Sequence, residues 1–217
     1  MTAKKVVASV FSGIARIYDK FLSLATFGGI HRWQKRLIEL MEERESWLDV
    51  GTGTGEVLRK LNSSKLRIGI DLSYEMLKVA KEKCGGCYFL VADGEDIPFK
   101  DKSFDRISLS LVFRHLENQE RFLKEAKRVL KKGGRVGLID IRKFKGSGLL
   151  LLLMKTVLLP IGLLIFGRDK WEFFVHSIEK SFSLEEIEET FKREGFRKVA
   201  SERTFLGLVL IFVAELD

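Results

Sequence analysis

The sequence predicts an α/β fold with a doubly wound, seven-stranded and mostly parallel sheet that contains one antiparallel strand. First, short apolar runs alternate with helical patterns from Ser46 onward. Second, a glycine turn over Asp49 to Gly55 follows the first of these runs. Third, the last two strand patterns lie too close together for a helical crossover, so we expect them to pair antiparallel.

The length and composition indicate one folded domain. The 217 residues are enough for a full hydrophobic core, and 46% hydrophobic with 31% charged residues excludes a disordered chain. We expect a single domain over residues 1–217, with an N-terminal helical cap at 1–45 and an apolar insertion at 146–182. The net charge of +8 favours acidic partners, either nucleic acid or an anionic membrane surface. The sequence shows no secretory leader pattern, so we expect a cytoplasmic protein.

The first 45 residues predict two amphipathic helices. Apolar residues recur at helical spacing on both sides of Gly28-Gly29, which separates the two helices. Most such residues pack in a core, but Tyr18 and Asp19 are polar enough to reach a ligand.

The remaining elements follow from periodicity, caps and glycine stops. The predicted strands are Trp47–Val50, Leu66–Ile70, Tyr88–Ala92, Phe104–Ser110, Arg135–Ile141, Val199–Glu202 and Phe205–Ala214. The predicted helices are Glu56–Leu61, a helix from the N-cap Ser73 to Lys83, Gln119–Leu130, and a helix from the capping box at Ser183 to Glu194.

The insertion contains a nearly continuous apolar run from Leu149 to Phe166. Its length approaches that of a membrane span, but Lys155 and Pro160 interrupt it and disfavour a transmembrane helix. Two interpretations stay open: a buried helical hairpin that caps the domain, or a lid that covers an apolar substrate or dips into the membrane interface. Basic residues flank the run on both sides: Arg142, Lys143, Lys145, Arg168 and Lys170.

The two cysteines, Cys84 and Cys87, form a Cys-Gly-Gly-Cys sequence at a helix-to-strand junction. A structural zinc site usually takes four ligands, and no second pair exists. We interpret them as two incidental thiols, with a local disulfide as the alternative.

Three acidic residues follow successive strands, where an open α/β sheet binds its ligands. Asp49 precedes a turn of alternating glycines, which differs from the G-x-G-x-x-G pattern that receives a pyrophosphate. A carboxylate there repels phosphate and suits a ligand that carries positive charge. A carboxylate at Asp71 can accept hydrogen bonds from both hydroxyls of a ribose, and one at Asp93 can lie against an adenine edge. Each acid taken alone is as often a solvated residue at a strand end, but three acids in phase with the glycine turn favour a ligand site.

These residues resemble those of the class I S-adenosylmethionine-dependent methyltransferases, and among them the ubiquinone/menaquinone biosynthesis C-methyltransferases of the UbiE type. The resemblance covers nearly the whole chain. Its motifs are Val10–Asp19, Leu48–Gly55, Gly69–Ser73 with Met76-Leu77, Ala92–Phe99, Phe104-Asp105, Phe113–Leu116, Arg128–Gly134, Leu159–Gly162 and Ser177-Ile178.

The resemblance implies a Rossmann-like methyltransferase fold with S-adenosyl-L-methionine as cofactor and no metal. By the family's pattern Asp49, Gly51, Thr54 and Gly55 hold the methionine moiety, Asp71 the ribose, and Asp93 with Gly94 the adenine. Ser110 lines the cleft, and Tyr18, Leu72 and Met76 complete the expected set. Arg114 matches an arginine near the substrate ring.

The expected chemistry on the acceptor side is proton removal from a phenol next to the reacting ring carbon. Arg114 would stabilise the phenolate, and His115, with an ordinary pKa near neutral, is a candidate base. The chain departs from the family at His115, where the family usually has Asn, and at Trp171 and Phe173, where it has aromatic hydroxyls.

The leading hypothesis is therefore methyl transfer to a carbon of a quinone or quinol precursor, or a similar small apolar molecule, with peripheral contact to an anionic membrane. Another lipid-like acceptor stays open. The basic charge also admits a nucleic-acid substrate, but Ser110–Arg114 lacks the Asp/Asn-Pro-Pro-aromatic motif that holds a flipped base. A non-catalytic quinone or lipid binder is disfavoured because it would not need the acids and glycines. The oligomeric state stays open.

Overall fold

The computed structural model describes residues 3–143, 147–157, 159–160, 163 and 167–217. Among these residues, seven strands form one sheet in the order β3-β2-β1-β4-β5-β7-β6. The strands are β1 Ser46–Val50, β2 Leu66–Asp71, β3 Tyr88–Val91, β4 Phe104–Ser110, β5 Leu130–Ile141, β6 Phe196–Thr204 and β7 Val209–Leu216. Strand β7 is antiparallel to both β5 and β6, while β1 to β5 are parallel. The predicted fold class is confirmed.

Helices cover both faces of this sheet. They are α1 Ala3–Ser12, α2 Tyr18–Ala25, α3 Gly29–Met41, α4 Tyr74–Lys83, α5 Gln119–Val129, α6 Ser147–Lys155, α7 Arg168–Glu179 and α8 Leu184–Arg193. Buried residues of α5 and α8 pack in one apolar cluster with β4, β5 and β7. Buried residues of α3 pack in a second cluster on the opposite face. Two such cores are what an amphipathic helix layer on each face of a buried sheet requires.

The N-terminal cap contains three helices, so the prediction of two is wrong. The chain leaves α1 at Gly13, makes turn hydrogen bonds through Ile14 and Ile17, and starts α2 at Tyr18. The apolar residues on both sides of this break still share one periodicity, which is why the sequence pattern did not show it. The separation by Gly28-Gly29 is confirmed, since Gly28 has φ 71° and α3 starts at Gly29.

The segment predicted as helix Glu56–Leu61 forms only a short 3₁₀ turn over Leu58–Lys60. The Glu43 carboxylate accepts hydrogen bonds from the backbone N–H groups of residues 62, 63 and 64, at 3.1, 2.6 and 2.7 Å. These bonds hold the chain immediately after the turn and direct it into β2. A long-range contact of this kind overrides the local helical pattern.

Three strands start three or more residues away from their predicted first residue, and β6 is one of them, with its start at Phe196 instead of Val199. Strand β5 starts at Leu130 instead of Arg135, because a register shift between Phe104 and Arg106 of β4 accommodates the extra residues. Strand β7 starts at Val209 instead of Phe205, since Phe205 and Leu206 take positive φ values in the turn that follows β6. The predicted N-caps at Ser73 and Ser183 are confirmed. Each serine hydroxyl accepts a hydrogen bond from the backbone N–H three residues later, that of Met76 and that of Glu186.

Cys84 and Cys87 are joined by a disulfide. The interpretation as two incidental thiols is wrong, and the alternative of a local disulfide is confirmed. Cys84 is buried at the end of α4, where both sulfurs join the apolar cluster under α3.

The described part of the insertion is a pair of helices, α6 and α7. Trp171 and Val175 of α7 form an apolar cluster with α6 and with Phe21 of α2. Part of the run Leu149–Phe166, and the side chains of Lys145 and Lys170, lie outside what the structure describes. Within the described residues, no helix has the length and apolar character that crossing a bilayer demands.

Candidate functional site

The glycine turn after β1 lies at the carboxyl edge of the sheet. Gly51, Gly53 and Gly55 have φ values of 64°, 53° and 77°, a region that side-chain-bearing residues rarely adopt. A Cβ on Gly51 would lie 2.5 Å from Val112, whereas one on Gly53 would meet nothing within 4 Å. The turn therefore fits tightly under the β4 loop and leaves its middle open to a ligand.

Asp49 lies beneath this turn and supports it. Its carboxylate is 1% exposed and accepts hydrogen bonds from the hydroxyls of Thr52, at 2.7 Å, and Ser108. Strand register brings Ser108 beside Asp49, and the indole N–H of Trp47 donates to Ser108 at 2.7 Å. Burial raises the pKa of Asp49 to about 6, against the opposing effect of the two hydroxyl donors.

Asp71, at the end of β2, lies against the same turn. One carboxylate oxygen accepts from the backbone N–H of Gly53 at 2.9 Å, and the other from that of Ser73 at 2.8 Å. Each oxygen has room for a second donor, so the carboxylate can receive two neighbouring hydroxyls. Burial raises the pKa of Asp71, and these backbone N–H donors oppose the rise.

Asp93 and Gly94 follow β3, and the N-terminal helix closes over them. Lys4 of α1 donates to Asp93 at 2.7 Å and lies 3.0 Å from the buried carboxylate of Glu95. A Cβ on Gly94 would lie 2.5 Å from Val50, so this backbone packs directly on β1. The result is an acidic wall whose charge is partly balanced by one lysine from the cap.

Tyr18 and Asp19 bring α2 to the glycine turn. The hydroxyl of Thr54 donates to Asp19 at 2.6 Å, and Lys83 of α4 forms an ion pair with the same carboxylate. Burial raises the pKa of Tyr18 to about 12, so its phenol stays protonated at neutral pH. The prediction that Tyr18 and Asp19 can reach a ligand agrees with their position in the wall of the cavity next to the glycine turn.

One cavity at the carboxyl edge of the sheet brings most of the predicted site together. The predicted residues that line it are Tyr18, Gly51, Thr54, Asp71, Leu72, Met76, Asp93, Gly94, Ser110 and His115. Three predicted residues are not in its wall. Asp49 supports the turn from below, and Gly55 packs against Ala80 and Phe89, where a Cβ would come within 3.2 and 3.3 Å.

Arg114 is the third, and it is buried in an ion pair instead. Its guanidinium binds the carboxylate of Asp140 and donates to the carbonyl of Leu111 at 3.2 Å. Its backbone N–H also donates to Asp140, at 3.0 Å. The structure therefore does not place Arg114 against an acceptor in the cavity. The ion pair with Asp140 instead fixes the short turn that carries the next residue, His115.

His115 lies in the cavity wall beneath an aromatic cluster. Its ring stacks on Phe173 of α7 with centroids 5.3 Å apart and planes at 9°, and Phe11 of α1 meets it edge-on at 5.7 Å. Its Nε2 is buried with no hydrogen-bond partner among the described residues. Burial, with Arg114 nearby, lowers the pKa of His115 well below 6.5. The expectation of an ordinary pKa was wrong, and the ring is neutral at pH 7.

Sequence reasoning missed several residues of the cavity wall, among them Lys4, Phe11, Gln34 and Glu95. Gln34 of α3 donates to Ser110 at 3.3 Å and accepts from Lys60 at 2.8 Å. Glu95 lies within the family motif Ala92–Phe99, so the sequence contained a signal that could have identified it as a site residue. Lys4 and Gln34 carried none, because long-range packing alone brings their helices over the cavity.

Comparison with known proteins shows the family to which the chain belongs. The model of the ubiE/COQ5 methyltransferase family matches residues 1–215. The chain belongs to this family. It is 33% identical to the demethylmenaquinone methyltransferase of Thermotoga maritima, over 98% of this chain and 97% of that protein. It is 28% identical, over 99% of both chains, to a ubiquinone/menaquinone biosynthesis C-methyltransferase UbiE of Campylobacter jejuni.

A solved structure from Thermotoga maritima, described as a SAM-dependent methyltransferase and possible histamine N-methyltransferase, superposes with a TM-score of 0.69. It is 22% identical and covers 96% of this chain and 99% of that chain, so it supports the fold. As a ubiE/COQ5 family member the chain is an S-adenosylmethionine-dependent methyltransferase.

The cavity of this ubiE/COQ5 family member fits S-adenosylmethionine. The open lone pairs of Asp71 suit the ribose hydroxyls, and Asp93 with the backbone of Gly94 suits the adenine edge. The open middle of the glycine turn, with Asp49 beneath it, suits the cationic methionine end. Among the described residues, no group of three His, Cys, Asp or Glu is placed to hold a metal ion.

Proposed function

We propose that the protein methylates a ring carbon of a quinol precursor, a small apolar acceptor that enters between the glycine turn and the aromatic cluster. The observation that carries the proposal is His115: a buried Nε2 without a hydrogen-bond partner among the described residues, on a ring that stacks on Phe173 and meets Phe11 edge-on. The names of the relatives from Thermotoga maritima and Campylobacter jejuni support the same acceptor class.

The cofactor supplies an activated methyl group when bound, so the protein's task is to align a nucleophile and exclude water. Phe11 lines the cavity and Phe173 stacks on His115 beside it, so this side of the cavity offers an aromatic surface against which an aromatic acceptor can pack. The neutral imidazole of His115 can accept a hydrogen bond from the acceptor's ring hydroxyl at Nε2. That bond raises electron density on the ring as the hydroxyl proton moves to Nε2. The ring carbon takes up the methyl group as the methyl–sulfur bond breaks, and it then loses its own proton while Nε2 returns the first proton to the ring oxygen. The net products are the methylated quinol, the demethylated cofactor and one proton.

Arg114 acts indirectly in this proposal. Burial is the main cause of the lowered pKa of His115, and the positive charge of Arg114 beside the ring adds to it, so the imidazole is neutral at neutral pH. The ion pair with Asp140 fixes both the guanidinium and the backbone of the turn. Arg114 is therefore proposed as a positioning residue, and His115 as the group that contacts the acceptor.

The acceptor class can be tested with labelled cofactor and demethylated naphthoquinol. Mass spectrometry of the product should show one added methyl group on a ring carbon and not on oxygen. A lipid extract provides the unbiased arm of the experiment, since any other labelled lipid in it would identify a different acceptor. Label on oxygen, or no label on any quinol, contradicts the proposal.

The role of His115 is tested with a matched pair of variants. His115→Gln keeps a hydrogen-bond acceptor in the wall, whereas His115→Leu removes it. We expect turnover to fall on the order of 10²–10³-fold in the Leu variant and less in the Gln variant, with cofactor affinity unchanged in both. Equal losses in the two variants would show that the ring is needed for packing against Phe173 alone.

A further inference from the structure

Two turns beside the cofactor cavity expose large apolar side chains at their tips. Leu206, Phe27 and Leu24 are 102%, 82% and 77% exposed, the highest values of any large hydrophobic residue that the structure describes. Leu24 and Phe27 belong to the end of α2 and its turn into α3, and Leu206 to the turn between β6 and β7. Exposed side chains of this size in water are unfavourable unless they meet a partner.

The backbone holds two of these side chains outward in a fixed way. Phe27 and Leu206 have φ values of 49° and 56°, in the left-handed region that large side chains rarely adopt. The strain is retained although Asn or Gly would relieve it. A turn that keeps an apolar residue in such a conformation at full exposure points to a use for the side chain.

The two turns are linked through one aromatic contact. The ring of Trp33 in α3 meets Phe205, the neighbour of Leu206, with centroids 5.5 Å apart. The same Trp33 ring lies over Gly29, close enough that a Cβ there would be 2.7 Å from it. Trp33 thus connects the α2–α3 turn to the β6–β7 turn, and the tips belong to one region of the surface.

Basic side chains lie close to these tips. Lys20 shares a shallow groove with Leu24 and Phe27, and Arg203 is exposed three residues before Leu206. Neither of these cations is in an ion pair among the described residues. The guanidinium of Arg142 donates to the carbonyl of Gly207 at 2.7 Å, which brings a third cation to the β6–β7 turn. Apolar side chains with basic residues close to them suit contact with the interface of an anionic bilayer.

The position of this surface agrees with the path of an apolar acceptor. Asp19 and His31 line both the shallow groove at Leu24 and the cofactor cavity, so the groove leads to the cavity mouth. Phe21 of α2 packs against the lid helices α6 and α7, which places the lid beside Leu24.

We infer that Leu24, Phe27 and Leu206, with Lys20, Arg142 and Arg203, form the surface that docks on anionic lipid. The tips enter the headgroup layer and hold the cavity mouth towards the bilayer, from which a prenylated acceptor can enter. The acceptor's part in this inference rests on the proposed function, whereas the docking itself rests on the surface.

The test uses the full-length protein and vesicles of phosphatidylcholine with or without phosphatidylglycerol. The variant Leu24→Gln/Phe27→Asn/Leu206→Asn removes the tips, and asparagine suits the two left-handed positions. A matched control, Tyr88→Thr/Leu90→Thr, removes exposed apolar residues from the edge strand β3, where Tyr88 and Leu90 are 64% and 43% exposed. Thermal unfolding checks that each variant is folded.

We expect wild type and the control to co-sediment with anionic vesicles, and the tip variant to bind at least about tenfold more weakly. The tip variant should methylate a demethylated naphthoquinol without a prenyl chain at the wild-type rate. The inference is overturned if wild type does not bind anionic vesicles, or if the tip variant binds them as tightly as wild type does. A wild-type dimer in analytical ultracentrifugation that the tip variant dissociates also overturns it, since the tips would then join two copies. Vesicle binding through the tips by a protein that methylates no quinol would leave the surface standing and refute the proposed function.

Discussion

Asp49 shows how one buried carboxylate can serve both the turn and the ligand. The pKa of Asp49 in the folded protein, about 6, lies above the ordinary value of 3.8 because the carboxyl group is buried. Its contribution to the stability of the ligand-free protein is therefore fully present below pH 3.8 and is lost as the pH rises through about 6. The positive charges of the cofactor favour the ionised form, so binding lowers this pKa and releases a proton.

We therefore expect the affinity for S-adenosylmethionine to fall as the pH is lowered through about 6. Calorimetric titrations between pH 5 and pH 8, in buffers of different ionisation enthalpy, measure both the affinity and the proton released. Asp49→Asn should bind more weakly and lose the pH dependence in this window. An unchanged pH profile in that variant would assign the titration to another group.

The Arg114–Asp140 pair makes a second prediction at this scale. Both side chains are buried, at 9% and 2% exposure, and removing one partner leaves the other charge unpaired. Arg114→Met or Asp140→Leu alone should each cost about 3–5 kcal/mol of unfolding free energy, whereas the double variant should recover much of it. Urea denaturation measures this.

Activity measurements distinguish a structural role of the Arg114–Asp140 pair from an electrostatic effect of Arg114 on His115. The double variant restores packing but not the positive charge beside His115, so kcat should stay low while cofactor affinity recovers. Its acidic kinetic pKa should also rise, although burial still holds the pKa of His115 down, because the added effect of the Arg114 charge is lost. A double variant with wild-type kcat would make Arg114 a purely structural residue.

Single residues at the strand ends could be predicted from sequence because parallel strands present their carboxyl ends at one edge. Asp71, Asp93 and the glycine turn meet there for that reason. The burial of Arg114 could not be predicted, because it depends on Asp140 at the end of β5. Asp140 belongs to none of the motifs that carry the family resemblance. The contact between His115 and Phe173 is informative in the same way: both depart from the family pattern, and they stack on each other.

At the scale of elements, an ionic contact from Lys4 ties α1 to the site. Lys4 reaches Asp93 and Glu95, while the neighbouring Lys5 is exposed. Lys4→Met leaves the buried Glu95 without this cation, so α1 should open more often. Hydrogen exchange should become faster in Ala3–Ser12 and stay unchanged in the strands. Lys5→Met is the matched control, and equal exchange in the two variants would show that Lys4 does not hold the helix.

Elements with a cap and a clear period could be predicted to within a few residues, as α4 and α8 show. The short turn at Leu58–Lys60 could not, because a distant carboxylate, Glu43, fixes the chain after it. The early start of β5 depends on a register shift with β4, which is a property of the sheet and not of the segment. Local patterns predict elements well where no long-range contact competes with them.

At the scale of the whole molecule, the net charge of +8 acts together with the apolar tips. Charge draws the protein to an anionic surface over a distance that salt controls, since the Debye length falls from about 10 Å at 0.1 M to about 3 Å at 1 M. The apolar contact of the tips is short-ranged and is not screened in this way. The two contributions to docking therefore separate by their response to salt.

We expect kcat/KM for a prenylated quinol in anionic vesicles to fall several-fold between roughly 0.05 and 0.5 M NaCl. The same quinol ring without a prenyl chain, in solution, should show little change, because its encounter with the cavity does not involve the lipid surface. Lys20→Gln/Arg203→Gln should flatten the salt dependence for the vesicle-bound acceptor and leave the soluble one unaffected. The same loss for both acceptors would place the salt effect at the acidic residues inside the cavity, and would show that Lys20 and Arg203 do not contribute to docking.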